Sequence, residues 1–239
     1  MDNQAAVLTA VTGETMVLQG VTAEGKLNGL LFELTVEQRY RNPVETNIEA
    51  VYTFPLPSGA VLLDFEVKLN GKTLTGLVVE KRAAEAQYEE AIEKGDTAIM
   101  LERAADGLCT VNLGNLMAGE EATIRYRYAQ LLRFEHGSVR LAIPTVIAPR
   151  YGDPKAARLQ AHQVPTNDLA VAYPFSLTLD LEGEIAKGTV ASPSHAISTK
   201  ATAKGMRVAL ARDAFLDRDF VLAIGGLSGR SLAVVAKDG

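Results

Sequence analysis

The chain has 239 residues, 47% of them hydrophobic, and is therefore long enough to bury a full core. Its net charge is −5, and a mildly acidic surface repels phosphate backbones, so nucleic acid is not expected as a partner. No segment is long and apolar enough to span a bilayer, and the N-terminus lacks the basic start and apolar middle of a signal peptide.

Apolar and polar residues alternate along several segments, which predicts half-buried β-strands. Strands with one wet face form antiparallel sheets, and two such sheets can stack their dry faces. The sequence therefore predicts a mainly β fold, an antiparallel β-sandwich. The apolar sets are Phe32, Leu34, Val36 and Tyr40; Ile48, Ala50, Tyr52 and Phe54; Val61, Leu63, Phe65, Val67 and Leu69; Ala122, Ile124, Tyr126 and Tyr128; and Phe175, Leu177, Leu179 and Leu181.

Turn residues punctuate these strands. Asn70-Gly71 between two polar–apolar segments predicts a tight hairpin. Pro55 and Pro57 lack the N–H group that a central strand needs, so the strand containing Phe54 is expected to end there. We expect Phe54 and Leu56 to point into the core.

Residues 80–94 depart from the alternation and contain neither Gly nor Pro. Small and apolar residues recur there at helical spacing around Tyr88, and Glu90 precedes Lys94 by four positions. Gly95 is suited to ending a helix. The pattern predicts one amphipathic helix over about residues 80–94, laid across a sheet with Tyr88 as its anchor.

The strand pattern lapses around residues 149–170, where prolines fall among polar and short side chains. This lapse predicts a long connection or a domain boundary. We assign residues 1–152 to one β-sandwich domain and residues 153–239 to additional β-strands that pack on it. A separate small domain in the second range remains the alternative.

Few residues in the sequence suggest catalysis or metal binding. Cys109, the only cysteine, lies in an apolar segment and is expected to be a small buried hydrophobe. Ser192-Pro193-Ser194-His195 suggests a hydrolase pair, but the Gly-x-Ser-x-Gly signature of a nucleophile elbow is absent. We therefore predict no catalytic residues, no metal ligands and no cofactor.

Two groups are candidates for partner contacts. Arg150 and Tyr151 are residue types enriched in binding hot spots, although Arg150 is more readily explained as a donor that pins the end of the domain. Asp217, Arg218 and Asp219 form the second group. Asp217 and Asp219 share one face of an extended chain, where ion pairing with Arg or Lys is favoured over binding a cation.

Several motifs, in order, resemble the vault protein inter-alpha-trypsin (VIT) domain. The quoted residues run from Tyr52-Thr53-Phe54-Pro55-Leu56-Pro57, through Glu80-Lys81, Ala84 and Tyr88, to Gly114-Asn115-Leu116 with Gly119-Glu120, and then Ile143-Pro144-Thr145 and Ala148-Pro149-Arg150-Tyr151. Ala118 stands where the family usually has proline. The resemblance covers roughly residues 8–152, and the later Ser192-Pro193-Ser194-His195 and Asp217-Arg218-Asp219-Phe220-Val221-Leu222 are similar to the segment that follows the domain.

The resemblance implies a β-sandwich scaffold that precedes a von Willebrand factor A (VWA) domain, and it favours a bacterial member. The Asp-x-Ser-x-Ser metal motif of VWA domains is absent from this chain. The implied partner is therefore a VWA domain elsewhere in a longer protein, and the family favours an extracytoplasmic or cell-surface location.

Three function classes compete. The preferred one is a non-catalytic protein-interaction scaffold that supports an adjacent VWA domain. The second is a carbohydrate- or ligand-binding β-sandwich, which is disfavoured because the chain has no Trp and only 6% aromatic residues. The third is an enzyme of unrecognised type, for which the sequence offers no constellation of catalytic residues.

Overall fold

The computed structural model describes residues 4–5, 7–10, 17–69, 71–75, 99–103, 108–147, 175–211 and 218–227. These residues form β-strands and one short 3-10 helix, Gly183–Lys187. The strands are β1 Gln4–Ala5, β2 Val7–Ala10, β3 Val17–Asn28, β4 Leu31–Arg41, β5 Ile48–Pro55, β6 Val61–Leu69, β7 Lys72–Thr75, β8 Ile99–Arg103, β9 Leu108–Leu116, β10 Glu121–Leu131, β11 Phe134–Glu135, β12 Ser138–Ile143, β13 Val146–Ile147, β14 Phe175–Glu182, β15 Thr189–Ala191, β16 Ile197–Thr202, β17 Gly205–Leu210 and β18 Phe220–Gly225.

The strands are arranged in one large and several small sheets. The large sheet has eight strands in the order β16-β17-β14-β3-β4-β10-β6-β7. Two four-stranded sheets have the orders β2-β5-β9-β8 and β11-β12-β18-β15, and β1 pairs with β13. The prediction of a mainly β fold rich in antiparallel pairs is confirmed.

Among the described strands, one pair departs from the antiparallel expectation. β14 runs parallel to β3, with Phe175 opposite Val21 and Glu182 opposite Asn28. Parallel neighbours need a long connection, and the chain from residue 29 to residue 174 supplies it. Alternation along a strand could not reveal this pairing, because it fixes the buried face but not the direction of the neighbouring strand.

The buried faces of three strands follow the predicted alternation. On β4 the residues from Phe32 to Tyr40 bury every second side chain. β10 buries its set from Ala122 to Tyr128, and β14 buries the four residues that alternate from Phe175. The opposite faces carry polar and charged residues, so the eight-stranded sheet has one dry and one solvated face.

The prediction for β6 is wrong at its beginning. Phe65 is buried as expected, but Val61 is 58% exposed and Leu63 is 45% exposed. The register against β10 shifts between Arg127 and Tyr128, which leaves an extra residue on β6. Such a bulge reverses the phase of the alternation, so residues before it no longer share the face of residues after it.

Aromatic rings connect the β5 sheet to the eight-stranded sheet. Phe54 on β5 stacks on Tyr126 of β10 with ring centroids 4.3 Å apart and on Phe65 of β6 at 6.1 Å. Tyr52 of β5 meets Tyr40 of β4 edge to face at 5.9 Å. Aromatic pairs in these geometries add stability beyond the apolar area they bury. The two sheets therefore face each other across a ring-filled core.

Local turn chemistry also agrees with the sequence. β6 and β7 form the predicted hairpin, and Gly71 adopts a left-handed φ of 71° that disfavours other residues. β5 ends at Pro55, with Phe54 and Leu56 buried.

Gly25 of β3 is needed for close packing and not for a turn. A Cβ at Gly25 would lie 2.6 Å from Leu179 Cδ2 and 3.0 Å from Leu34 Cδ1. The missing side chain therefore leaves room for the apolar residues of the strands on both sides of β3.

Some predicted features lie outside the described residues. They are the helix over residues 80–94 with Tyr88, and the connection around residues 149–170. Both remain predictions. Within the described part of the chain, no helix has the length and apolar character needed to cross a membrane.

Candidate interaction surface

The structure describes two of the five residues predicted to contact a partner. Arg150, Tyr151 and Asp217 lie outside the described residues. Arg218 is exposed just before β18, whereas Asp219 is only 6% exposed. A side chain so deeply buried has little surface to offer, so Arg218 is better placed for contact than Asp219.

Thr145 explains the burial of Asp219. Its backbone N–H donates to Asp219 Oδ1 over 3.2 Å, and its hydroxyl donates to the Arg218 carbonyl over 2.7 Å. β12 and β18 are antiparallel with Ile143 opposite Phe220, so the residues after β12 lie beside those before β18. A carboxylate that accepts a buried N–H holds the chain in place. Among the described residues, no three His, Cys, Asp or Glu side chains cluster closely enough to hold a metal ion.

The segment 192–195 packs against the same end of β18. The Val221 N–H donates to Ser194 Oγ over 2.8 Å, and the His195 N–H donates to Ser192 Oγ over 3.2 Å. His195 Nδ1 lies 2.9 Å from Ser194 Oγ, and the imidazole centroid is 5.8 Å from that of Phe220. These bonds fasten the segment to β18.

Three sequence motifs therefore meet at one end of the β11-β12-β18-β15 sheet. The hydrogen bonds of Thr145 join residues 73 and 74 positions apart. Sequence reasoning identified the motifs but missed their meeting, because no spacing rule relates positions so distant. We call this cluster the motif junction; its described members are Thr145, Ser192, Ser194, His195, Arg218 and Asp219.

The Ser194–His195 pair is a loop anchor in this setting. A hydrolase presents its serine oxygen to substrate while a third group orients the histidine. Here the two side chains are sequence neighbours, and Ser194 Oγ already accepts the Val221 N–H and lies 3.3 Å from Ser192 Oγ. The oxygen is thus engaged in holding the backbone.

The strongly shifted pKa values belong to the core. Burial raises the pKa of Tyr52 well above its usual value, and the neighbouring Tyr126 and Tyr40 raise it further. Burial also raises the pKa of Tyr126. Cys109, near both, is 1% exposed, which confirms the prediction of a buried thiol. Perturbed groups mark catalytic sites when they line a cleft; these tyrosines pack between two sheets.

Asn42 fastens the turn after β4 to the turn before β10. Its Nδ2 group donates to the carbonyls of Thr46 at 3.0 Å and Met117 at 2.9 Å, with Leu116 at 3.3 Å. Its Oδ1 accepts the Val44 N–H at 3.1 Å. The Asn42 side chain is fully buried, so its amide replaces water as the partner of these backbone groups.

An open cleft of about 670 Å³ lies beside these turns. Its polar side chains are Gln19, Arg41, Asn42 and Glu45, and the rest of its wall is apolar or backbone. The Asn42 amide is directed to backbone groups. The remaining polar groups include no described pair of acid and base arranged around a nucleophile, so the cleft is a surface feature without catalytic geometry.

The solvated face of the eight-stranded sheet is covered by ion pairs. Arg127 of β10 pairs with Asp64 at 2.9 Å and with Glu33 at 3.8 Å. Arg125 pairs with Glu66 in the same way, at 3.2 Å. Because these charges are matched across neighbouring strands, most of this face favours water over an apolar partner.

One end of that face is apolar. Leu131 is 72% exposed and lies opposite Leu31, while Ala129 lies opposite the exposed Val61. Ala129 and Leu131 are two residues apart on β10 and therefore point to the same side. We call Leu31, Val61, Ala129 and Leu131 the apolar corner. Val61 and Leu131 are exposed, and Leu31 and Ala129 are half-buried. An apolar patch bordered by charged residues is typical of a protein contact.

Comparison with protein families decides the assignment of the central strands. Residues 18–128 match the model of the vault protein inter-alpha-trypsin domain. Residues 18–128 form a VIT domain. This range runs from β3 into β10, and it includes the Asn42 turns and the ring contacts between the two sheets.

Relatives of this VIT domain include much longer proteins. Von Willebrand factor A domain-containing protein 5A of Homo sapiens is 28% identical over 88% of this chain and 28% of its own length. The protein mono-ADP-ribosyltransferase PARP4 of Homo sapiens is 29% identical over 82% of this chain and 12% of its own. A von Willebrand factor A domain-containing protein of Dictyostelium discoideum is 32% identical over 46% of this chain and 12% of its own length. The chain thus spans less than a third of these relatives.

The matched range also locates the surfaces relative to the VIT domain. The apolar corner lies at its C-terminal boundary, where β10 ends at Leu131. The motif junction lies beyond residue 128, on strands that follow the matched range. The VIT domain nevertheless pairs directly with a later strand, because its β3 is hydrogen-bonded to β14.

Proposed function

We propose that this chain is a non-catalytic interaction module whose VIT domain supports and orients an adjacent VWA domain in a larger protein. The relatives named for a von Willebrand factor A domain support the identity of the neighbour. The observation that carries the interaction is the apolar corner, where Leu131 is 72% exposed on a face otherwise covered by ion pairs. Family resemblance further favours an envelope or extracellular setting.

We also propose that residues 1–152 and 153–239 act as one body in this role. The pairing of β14 with β3 and of β12 with β18 supports this arrangement, because each pair joins strands from both ranges. A module built in this way would hold a neighbouring domain in a fixed orientation and not on a flexible linker.

Arg150, Tyr151, Asp217, Arg218 and Asp219 remain our proposed additional contacts. The exposure of the Arg218 side chain, a member of the motif junction, supports this choice. Asp219 would act through the loop it fixes, since its carboxylate accepts the Thr145 N–H. No described observation favours sugar binding, because Tyr40, Tyr52, Tyr126 and Tyr128 are all buried.

The test compares hydrogen exchange of this chain alone with exchange of a longer protein in which a VWA domain follows it. We expect added protection around the apolar corner, at the beginning of β6 and the end of β10. Leu131→Asp should remove that protection, whereas Met117→Asp, which replaces another exposed apolar side chain, should leave it unchanged. Identical exchange with and without the VWA domain would contradict the proposal.

A further inference from the structure

The outer strand of the large sheet, β16, has an unusually open edge. β16 pairs with β17 alone among the described strands, and five of its six residues are exposed. Its register with β17 runs without a shift from Ile197 opposite Leu210 to Thr202 opposite Gly205. An edge strand presents a row of unpaired N–H and C=O groups, which proteins usually blunt with bulges, prolines or charges. The segment 197–202 contains no proline and a single charge, Lys200.

The chain around this edge is basic, in contrast to the whole protein. Residues 185–211 contain four Lys or Arg residues and neither Asp nor Glu, although the full chain carries a net charge of −5. Two of these cations are neutralised, since Lys187 pairs with Glu184 and Arg207 pairs with Asp180. Lys200 on β16 and Lys204 in the following turn have no ion-pair partner among the described residues. The open edge is therefore also a positively charged one.

The positive charge of the β16 edge and its short side chains indicate which kind of segment could pair with it. The other β16 residues after Ile197 are Ser, Thr and Ala, whose short side chains allow another backbone to approach. A second copy of this chain is a poor fit, because antiparallel self-pairing of β16 would place the two Lys200 side chains opposite or close to each other. An extended segment with carboxylates at alternate positions satisfies both the backbone groups and the lysines.

We propose that β16 binds an extended acidic segment of a partner protein by strand addition, with Lys200 and Lys204 pairing to its carboxylates. This site is separate from the apolar corner, and it does not depend on the VWA domain. Backbone hydrogen bonds provide the affinity, and the lysines select an acidic sequence over a basic one.

The experiment uses the whole chain and a capped peptide, as long as β16, that alternates valine with glutamate. Amide NMR should show shifts concentrated on β16 and the adjoining turn. The Lys200→Glu variant should weaken binding by about tenfold and improve binding of the matching valine–lysine peptide. Unperturbed β3, β4 and β10 amide signals in the Lys200→Glu variant would show that its fold is retained.

A second probe separates strand addition from charge attraction. The same acidic peptide with N-methylated backbone amides keeps its charge but cannot donate ladder hydrogen bonds, so it should not bind. Equal binding of the methylated peptide, equal binding of anionic phospholipid vesicles, shifts located away from β16, or no binding of the acidic peptide would each overturn the proposal.

Discussion

Asn42 shows how one buried side chain can set the geometry of two turns. Its side-chain NH2 group donates to backbone carbonyls after β4 and after β9, and its side-chain oxygen accepts the Val44 N–H. The dipeptide Asn42-Pro43 is typical of a turn between strands, so the sequence indicates a connection there. It gives no sign that the far turn at Met117 depends on the same side chain, because that contact spans 75 positions.

Replacing Asn42 with Ala should therefore be costly. It leaves one buried and three partly buried backbone groups without the Asn42 hydrogen bonds, and we expect the free energy of unfolding to fall by about 3 kcal/mol. Asn47→Ala is the control, because Asn47 is exposed a few residues away and should change stability by less than about 0.5 kcal/mol. Urea unfolding followed by near-ultraviolet circular dichroism measures both. Equal costs would show that the Asn42 bonds are dispensable.

A second prediction at this scale concerns Asp180. Arg207 donates to both carboxylate oxygens at 2.7 Å, and this hydrogen bonding lowers the pKa of Asp180 below the usual value of an aspartate, 3.8. Because the folded-state pKa is the lower one, the stabilisation is present above the unfolded-state pKa and is lost as pH falls through the folded-state pKa. Arg207→Gln should raise the pKa of Asp180 toward 3.8, as carbon-detected NMR titration would measure.

Lys26→Gln provides the matched control for Asp180. Lys26 lies opposite Asp180 in the β3–β14 register and its charge also lowers the pKa of Asp180, so this variant removes a nearby positive charge but not the Arg207 hydrogen bonds to the carboxylate. Its effect on the pKa should be much smaller. Equal shifts in the two variants would mean that diffuse charge, not the two-pronged contact, sets the pKa of Asp180.

At the scale of single elements, periodicity predicted which face of a strand is buried but not which strands are neighbours. It succeeded for β4, β10 and β14, where alternation is unbroken. It failed for Val61 and Leu63, because a bulge on β6 depends on the register with β10 and leaves no local mark. The apolar corner was missed because it joins residues of three strands whose pairing alternation does not reveal. The motif junction was missed because its hydrogen bonds are long-range.

The prediction at the scale of single elements concerns Phe54 of β5. Phe54 is fully buried and stacks on Tyr52, Phe65 and Tyr126, so Phe54→Ala would open a cavity between the two sheets. We expect a loss of about 4 kcal/mol in the free energy of unfolding. Phe134→Ala, at a 39% exposed ring, should cost about 1 kcal/mol or less. A similar loss in both would refute the assignment of Phe54 to the sheet interface.

At the scale of the whole molecule, the question is whether the strands beyond residue 152 share one cooperative unit with the VIT domain. β14 is an interior strand of the eight-stranded sheet, between β3 and β17. Leu179 lies opposite Gly25, whose missing side chain leaves it the space it occupies. Because β14 is fully embedded, losing its packing should be felt throughout the sheet and not only at its edge.

Leu179→Ala tests this coupling. The side chain is fully buried, and its truncation should lower stability by about 3 kcal/mol. In one cooperative unit, the slowest-exchanging amides of β4 and β10 open through the same global event as those of β14, so hydrogen exchange should accelerate in all three strands by a similar factor. Leu131→Ala, at a 72% exposed leucine, should leave those rates nearly unchanged. If exchange accelerated only in β14 and β17, the later strands would form a separate unit that merely borders the VIT domain, and a rigid two-part support for a neighbour would lose its physical basis.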